Sequence, residues 1–217
     1  VIWDNFKYNL NNYLLFNYFR GDRMKENFIK FLFGSNRRIS RVVRFSTRPR
    51  TVDEYVSTHS YYVALYGLII SKLLIKKGVK VDIEKVMTRA LLHDLDESVS
   101  GDIIRIFREK LSSELESLCY EVMKGILKGL DKSVYEDLLW DWHQKFEDTE
   151  GQIVKLCDNI AGWIYCEEQI QMGNNIFKSI SEDYLKRIIT DTILNWIPEL
   201  YQEFKNYDRE KIDYDNK

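Results

Sequence analysis

Between residues 57 and 204 the apolar positions recur mainly at the three-to-four-residue spacing of amphipathic helices. From Ser57 to Lys77, Val63, Tyr66, Ile70, Leu73 and Leu74 share one broad face, and Gly78 offers a stop. Asp82 is placed to cap a second helix, Ile83 to about Leu95, with Val86, Ala90, Leu91 and Leu92 on its buried side. Residues 112–130 form another amphipathic stretch, from Leu115 and Leu118 through Val122, Ile126 and Leu127 to Leu130. Thr149-Glu150-Gly151-Gln152 has the form of a capping box ahead of a long helix to about Met172. A last helix is predicted from Ser181 to about Phe204, kinked at Pro198.

Composition agrees with this reading. Ten Gly and two Pro in 217 residues are about half the usual share, and turns are where both concentrate. The expected fold is therefore all-α, a helical bundle in a single domain over residues 24–205, followed by a polar tail, 206–217, frayed from Asp208 onward. Residues 1–23 stand apart, with five Asn and seven aromatics but no regular apolar period. They read either as a genuine helical extension packing on the domain or as translated upstream DNA. In the second case the native start is Met24, where Lys25 to Leu32 opens an amphipathic pattern.

Charge narrows the function classes. With 32 basic and 34 acidic side chains the formal charge is −2, which gives no general attraction to nucleic acid or anionic membrane. The one basic cluster runs from Arg37 to Arg50. No apolar run approaches the roughly 20 residues that span a bilayer, and no signal-peptide order is visible at the start of the chain. Three cysteines, Cys119, Cys157 and Cys166, lack metal-ligand spacing and fit a reducing, cytoplasmic compartment.

Candidate chemistry gathers on a few polar residues inside apolar segments. His59 lies one turn before Val63, His93-Asp94 is flanked by Leu91, Leu92 and Leu95, and Asp158 sits between Cys157 and Ile160. A buried ionised carboxylate is costly unless paired or bound to a metal. Two imidazoles and two carboxylates on three helices suit a divalent ion with open positions for water and substrate. Each residue taken singly also fits a structural histidine or a helix-end carboxylate. His143 lies among polar residues and reads as a surface or loop histidine.

His59, then His93-Asp94, then Asp158 resembles the H…HD…D signature of the HD-domain metal-dependent phosphohydrolases. Further segments are similar to the YfbR-type 5′-deoxynucleotidases within them. Arg44-Phe45 lies fifteen residues ahead of His59-Ser60; His93-Asp94-Leu95-Asp96-Glu97 leads to Gly101-Asp102; Val154-Lys155 precedes Asp158; and Gly173-Asn174-Asn175 precedes Phe177. The resemblance spans about Met24 to Leu200 and implies a single metal site between helices. His59, His93, Asp94 and Asp158 would hold one divalent ion, with Mn, Co, Fe and Zn all compatible. That ion would activate water for in-line attack on a nucleoside 5′-monophosphate, with Asp94 and Glu97 as the catalytic carboxylates and Glu97 moving the proton. Arg44 would hold the phosphate, Asp102 the sugar 3′-hydroxyl, and Phe45 would pack on the deoxyribose.

The same resemblance implies a homodimer, for which Tyr61, Tyr62, Trp163 and Tyr165 are candidates if they are not core. It leaves two other activities open: a deoxynucleoside triphosphate hydrolase on the same site, and a catalytically silent nucleotide-binding scaffold. Two departures from the family pattern bear on this. Position 45 is Phe where the family has Trp, and Ile103-Ile104-Arg105-Ile106-Phe107 replaces a Pro-containing loop. Arg105 and Arg108 then read either as ligands for extra phosphates or as solvated helix charges. Asp102 reads alternatively as a helix N-cap, Glu97 as a helix-end charge and Arg44 as one more member of the basic cluster.

Overall fold

The computed structural model describes residues 28–209, and the reading of residues 1–23 lies outside them. Among the described residues no β-strand forms; a lone antiparallel bridge joins Val43 to Tyr55 and closes the loop that carries Arg44. The 3-10 segment Ser35–Arg41 leads into this loop. The helices that follow are Val56–Lys76 (α1), Ile83–Leu92 (α2), Glu97–Ser100 (α3), Arg105–Lys110 (α4), Ser112–Leu127 (α5) and Lys132–His143 (α6). Thr149–Gln171 (α7), Lys178–Ile189 (α8) and Pro198–Lys205 (α9) complete the bundle, with 3-10 turns at Asn175–Phe177 and Thr192–Trp196. None of the described helices is long and apolar enough to cross a membrane.

The main core is the seam of α1, α2 and α7. Val63, Ile70 and Leu74 meet Val86 and Ala90, and both meet Ile153, Val154, Leu156 and Ile160. A second cluster, Cys119, Met123, Ile126, Leu127, Leu139 and Trp142, holds the α5–α6 hairpin together. A third, Tyr165, Cys166, Ile170 and Phe177, packs Phe45 against the far end of α7. Gly162 lets α8 approach α7: a Cβ there would lie 2.6 Å from the ring of Tyr184.

Several expectations hold closely. The predicted span 57–77 is α1, Asp82 caps α2 by accepting from the Lys85 N–H, and α7 ends one residue short of Met172. Others need correction. The capping residue of α7 is Asp148, which accepts from Gly151 N, while Gln152 donates its side-chain amide to the Phe146 carbonyl. The final helix is two helices. Asp191 folds back on the Ile193 N–H, and Pro198 starts α9, where its missing N–H costs nothing. The α2 helix stops at Leu92, so His93 and Asp94 lie beyond it, and Leu91 is exposed.

Helix α6 is absent from the pattern reading: only Leu139 and Trp142 of its apolar residues are buried, while Val134 and Trp140 are exposed; its last residue, His143, is exposed as expected. Tyr61 and Tyr62 are exposed whereas Trp163 and Tyr165 are core, so the four do not form one surface. At the start of the expected tail, Tyr207 and Arg209 both bond the buried carboxylate of Glu167. Residues 210–217 lie outside the described part.

Candidate active site

Three chain segments bring the four expected ligands together. His59 comes from the first turn of α1, His93 and Asp94 from the turn after α2, and Asp158 from the middle of α7. His59 Nε2 lies 2.9 Å from Asp158 Oδ1 and 3.4 Å from His93 Nε2, while Asp94 Oδ2 is 3.1 Å from His93 Nε2 and 3.8 Å from His59 Nε2. Ligand atoms of His59, His93 and Asp158 all fall within 4.8 Å of one another, a spacing suited to one ion. Both imidazoles are buried.

The donor set fits a divalent cation. His93 Nδ1 lies 2.7 Å from the Ala90 carbonyl, so it carries the proton and turns the Nε2 lone pair toward the cluster. Burial, then the Arg44 charge, lowers His59 to a pKa of about 4, leaving it a neutral donor. Burial alone would push Asp94 and Asp158 up, but the histidines outweigh it and hold both carboxylates low. The same carboxylates raise His93 against its own burial. The space between them thus draws positive charge.

Glu97 opens α3, one turn past His93, and is 3% exposed. Its Oε1 pairs with Arg108, and its Oε2 is buried without a partner. Burial and then the Asp94 charge push this carboxyl well above the usual range, opposed by Arg108.

Of the expected phosphate and sugar contacts, Arg44 and Phe45 lie on the loop between the 3-10 segment and α1, and Asp102 lies between α3 and α4. Arg44 is buried, its Nη1 3.2 Å from Glu54 Oε2, and the two backbones are joined by Arg44 N–H to the Glu54 carbonyl. Burial raises Glu54 to about 7, with Arg44 pulling the other way. Phe45 adopts φ +52, a left-handed conformation that costs a non-glycine residue about 1–2 kcal/mol. Its N–H donates to Asp102 Oδ2 at 2.7 Å, and a hydrogen bond to a charged group contributes about 1.5–3 kcal/mol, enough to hold that turn. Asp102 is therefore no helix cap: α4 begins after Ile104, with no side-chain cap. The Phe45 ring stacks on Tyr165 at 5.6 Å and meets Phe177 edge-on at 5.5 Å.

Pattern reading misses what holds this loop. Gln169, fully buried on α7, accepts from Thr51 N at 2.8 Å and donates to the Val52 carbonyl at 2.9 Å. Tyr165 bonds the same carbonyl, Asn174 bonds Pro49, and Arg50 donates to the Phe45 carbonyl. The Gly173-Asn174-Asn175 segment thus clamps the loop. The signal in the sequence was Gln169 lying three turns beyond Asp158 on the same face of the predicted helix.

A family model described as 5′-deoxynucleotidase YfbR-like matches residues 30–204. The chain belongs to this family. Among its relatives, the 5′-deoxynucleotidase of Vibrio vulnificus is 26% identical over 145 residues, covering 64% of this chain and 75% of the relative. The YfbR of Escherichia coli K12 is 24% identical over 147 residues, covering 64% and 73%. An HD-domain phosphohydrolase from Listeria innocua superposes with a TM-score of 0.66 at 21% identity, over 83% of this chain and 91% of that one. The cyanophage S-2L HD phosphohydrolase DatZ, solved with dA and one catalytic Zn2+ ion, superposes at 0.56 and 14% identity, over 80% and 96%. These neighbours carry the HD-domain fold, and this 5′-deoxynucleotidase is an HD-domain hydrolase with a candidate metal site between its helices.

Proposed function

We propose that this enzyme hydrolyses deoxynucleoside 5′-monophosphates to deoxynucleoside and orthophosphate at one divalent ion held by His59, His93, Asp94 and Asp158. The observation that carries this reading is the convergence of those four side chains, from three chain segments, beside the buried pair Arg44–Glu54. When bound, the ion supplies Lewis-acid activation of water and of the phosphoryl oxygens. Mn, Co, Fe and Zn all suit the donor set, and the zinc of the cyanophage neighbour supports Zn among them.

The chain's own residues do the rest. Arg44 offers a planar fork to the phosphate, held in place by Glu54 so that the guanidinium is presented rather than searched for. Glu97, whose carboxyl burial and Asp94 hold above the usual range, gives its proton to the leaving 5′-oxygen when protonated, or takes one from the attacking water when ionised. Phe45 packs beside the deoxyribose. Asp102 keeps Oδ1 for the 3′-hydroxyl, because Oδ2 already accepts from the Phe45 N–H. The exposed Tyr61 and Tyr62 support a homodimer contact on α1, and the three buried free cysteines support a reducing, cytoplasmic setting.

The test is a panel of ribo- and deoxynucleoside mono-, di- and triphosphates, with each metal in turn and products identified. Orthophosphate released from deoxynucleoside monophosphates is the expected result. Triphosphate or pyrophosphate as first product would reassign the site to a triphosphate hydrolase, and no turnover with any metal would leave a nucleotide-binding scaffold.

A further inference from the structure

The segment after Asp102 has no proline, and it folds as a helix, α4, whose Arg108 reaches back to α3. The Arg108 Nη2 group pairs with Glu97 Oε1, while Nε donates to the Ile103 carbonyl at 3.4 Å. One guanidinium thus ties the short helix carrying Glu97 to the segment carrying Asp102, which in turn holds the Phe45 N–H.

Arg108 also lines a cavity of about 240 Å³ with Asp96, Cys119, Trp142 and Lys145, and none of the four metal-site residues reaches it. Its guanidinium thus stands between this cavity and Glu97. Glu97 keeps Oε2 buried and unpartnered. A carboxylate with one oxygen pinned and the other bare has its free lone pairs aimed in one direction.

We propose that Arg108 is a positioning residue for Glu97, holding one carboxylate oxygen so that the other faces the reacting water or the leaving oxygen. The inference rests on the role assigned to Glu97 above. It also gives Arg108 a role other than binding extra phosphates, since Nη2 and Nε are both engaged. A lysine can reproduce the charge but not two diverging bonds, so R108K should recover part of the function.

The experiment compares wild type, E97Q, R108Q, R108K and E97Q/R108Q as metal-loaded enzymes on dAMP, dGMP, dCMP and dTMP, with melting temperature and metal content measured for each. R108Q should lower kcat by roughly tenfold to a hundredfold, the cost of a misplaced catalytic group, with KM within about twofold. R108K should fall between wild type and R108Q, and the double variant should be no slower than E97Q alone, because Arg108 acts only through Glu97. Wild-type kcat in R108Q, a rise in KM alone, or losses that multiply in the double variant would overturn the inference while leaving Glu97 in place. Wild-type kcat in E97Q would instead remove the reading of Glu97. If R108Q does not fold, R108K and E97Q/R108K replace it, and the same outcomes decide.

Discussion

The two halves of the site are held by different physics. The metal side hangs on the main core: His59 and Asp158 belong to the long helices α1 and α7, and His93 and Asp94 sit in the turn directly after α2. The substrate side, residues 44–54 and 101–108, has no long element and is held by side-chain hydrogen bonds from Gln169, Tyr165, Asn174, Asp102 and Arg108. Packing fixes position because a core tolerates little displacement. Hydrogen bonds fix it in increments of about 1 kcal/mol each. The metal side should therefore fail all at once, and the substrate side by degrees.

Asp94→Ala tests the first half of that contrast and should have the largest effect. Losing an ion that contributes several kcal/mol at the transition state corresponds to at least roughly a thousandfold in kcat, at about 1.4 kcal/mol per tenfold. Metal content should fall with it while the helical signal stays. Substantial turnover by a metal-depleted D94A enzyme would break the comparison.

Gln169→Leu removes two bonds to the loop at 51–52 while keeping the side chain's bulk. Two bonds of about 1 kcal/mol each predict a KM raised roughly thirtyfold, with kcat and metal content near wild type. A kcat loss at unchanged KM would mean that the loop serves the chemistry rather than binding. A lost metal would mean that the two halves are one unit.

Asp148→Asn is the smallest and lies in neither half. Burial alone would push the Asp148 carboxyl up, but Lys85, the Gly151 N–H and Arg89 outweigh it and hold it at about 2. A carboxyl depressed on folding adds stability above its ordinary value of 3.8, and that stability is lost as pH falls toward 2. Because the side chain is 40% exposed, solvent screening holds the ion pairs to about 1 kcal/mol or less, and asparagine keeps the cap. Urea midpoints should show D148N weaker at neutral pH and equal to wild type near the acid end, with kcat unchanged. A kcat loss would show that the α7 N-terminus reaches the metal side.

Legibility followed the same division. Local signals placed α1, the Asp82 cap and the C-terminal end of α7 to within a residue or so, and the spaced histidines and carboxylates named four side chains that the fold brings together. The pattern failed where a side chain competes for backbone, as at Asp148 and Asp191, and where Pro198 can either kink a helix or start one. It failed for Leu91 because helical spacing identifies a face, and the width of that face depends on which neighbour covers it. It left Arg108 open between a phosphate ligand and a solvated charge, since nothing local says that Arg108 on α4 meets Glu97 on α3.

The sequence by itself determined an all-α chain and the residues able to bind a metal, because helical periodicity and ligand chemistry are local properties. Only the tertiary structure decided which polar groups meet across 57 residues, as Phe45 and Asp102 do, or across 118, as Thr51 and Gln169 do. Such pairs have no period or spacing rule. They exist because the core of α1, α2 and α7 sets the distances, and each buried polar group then takes the partner within reach.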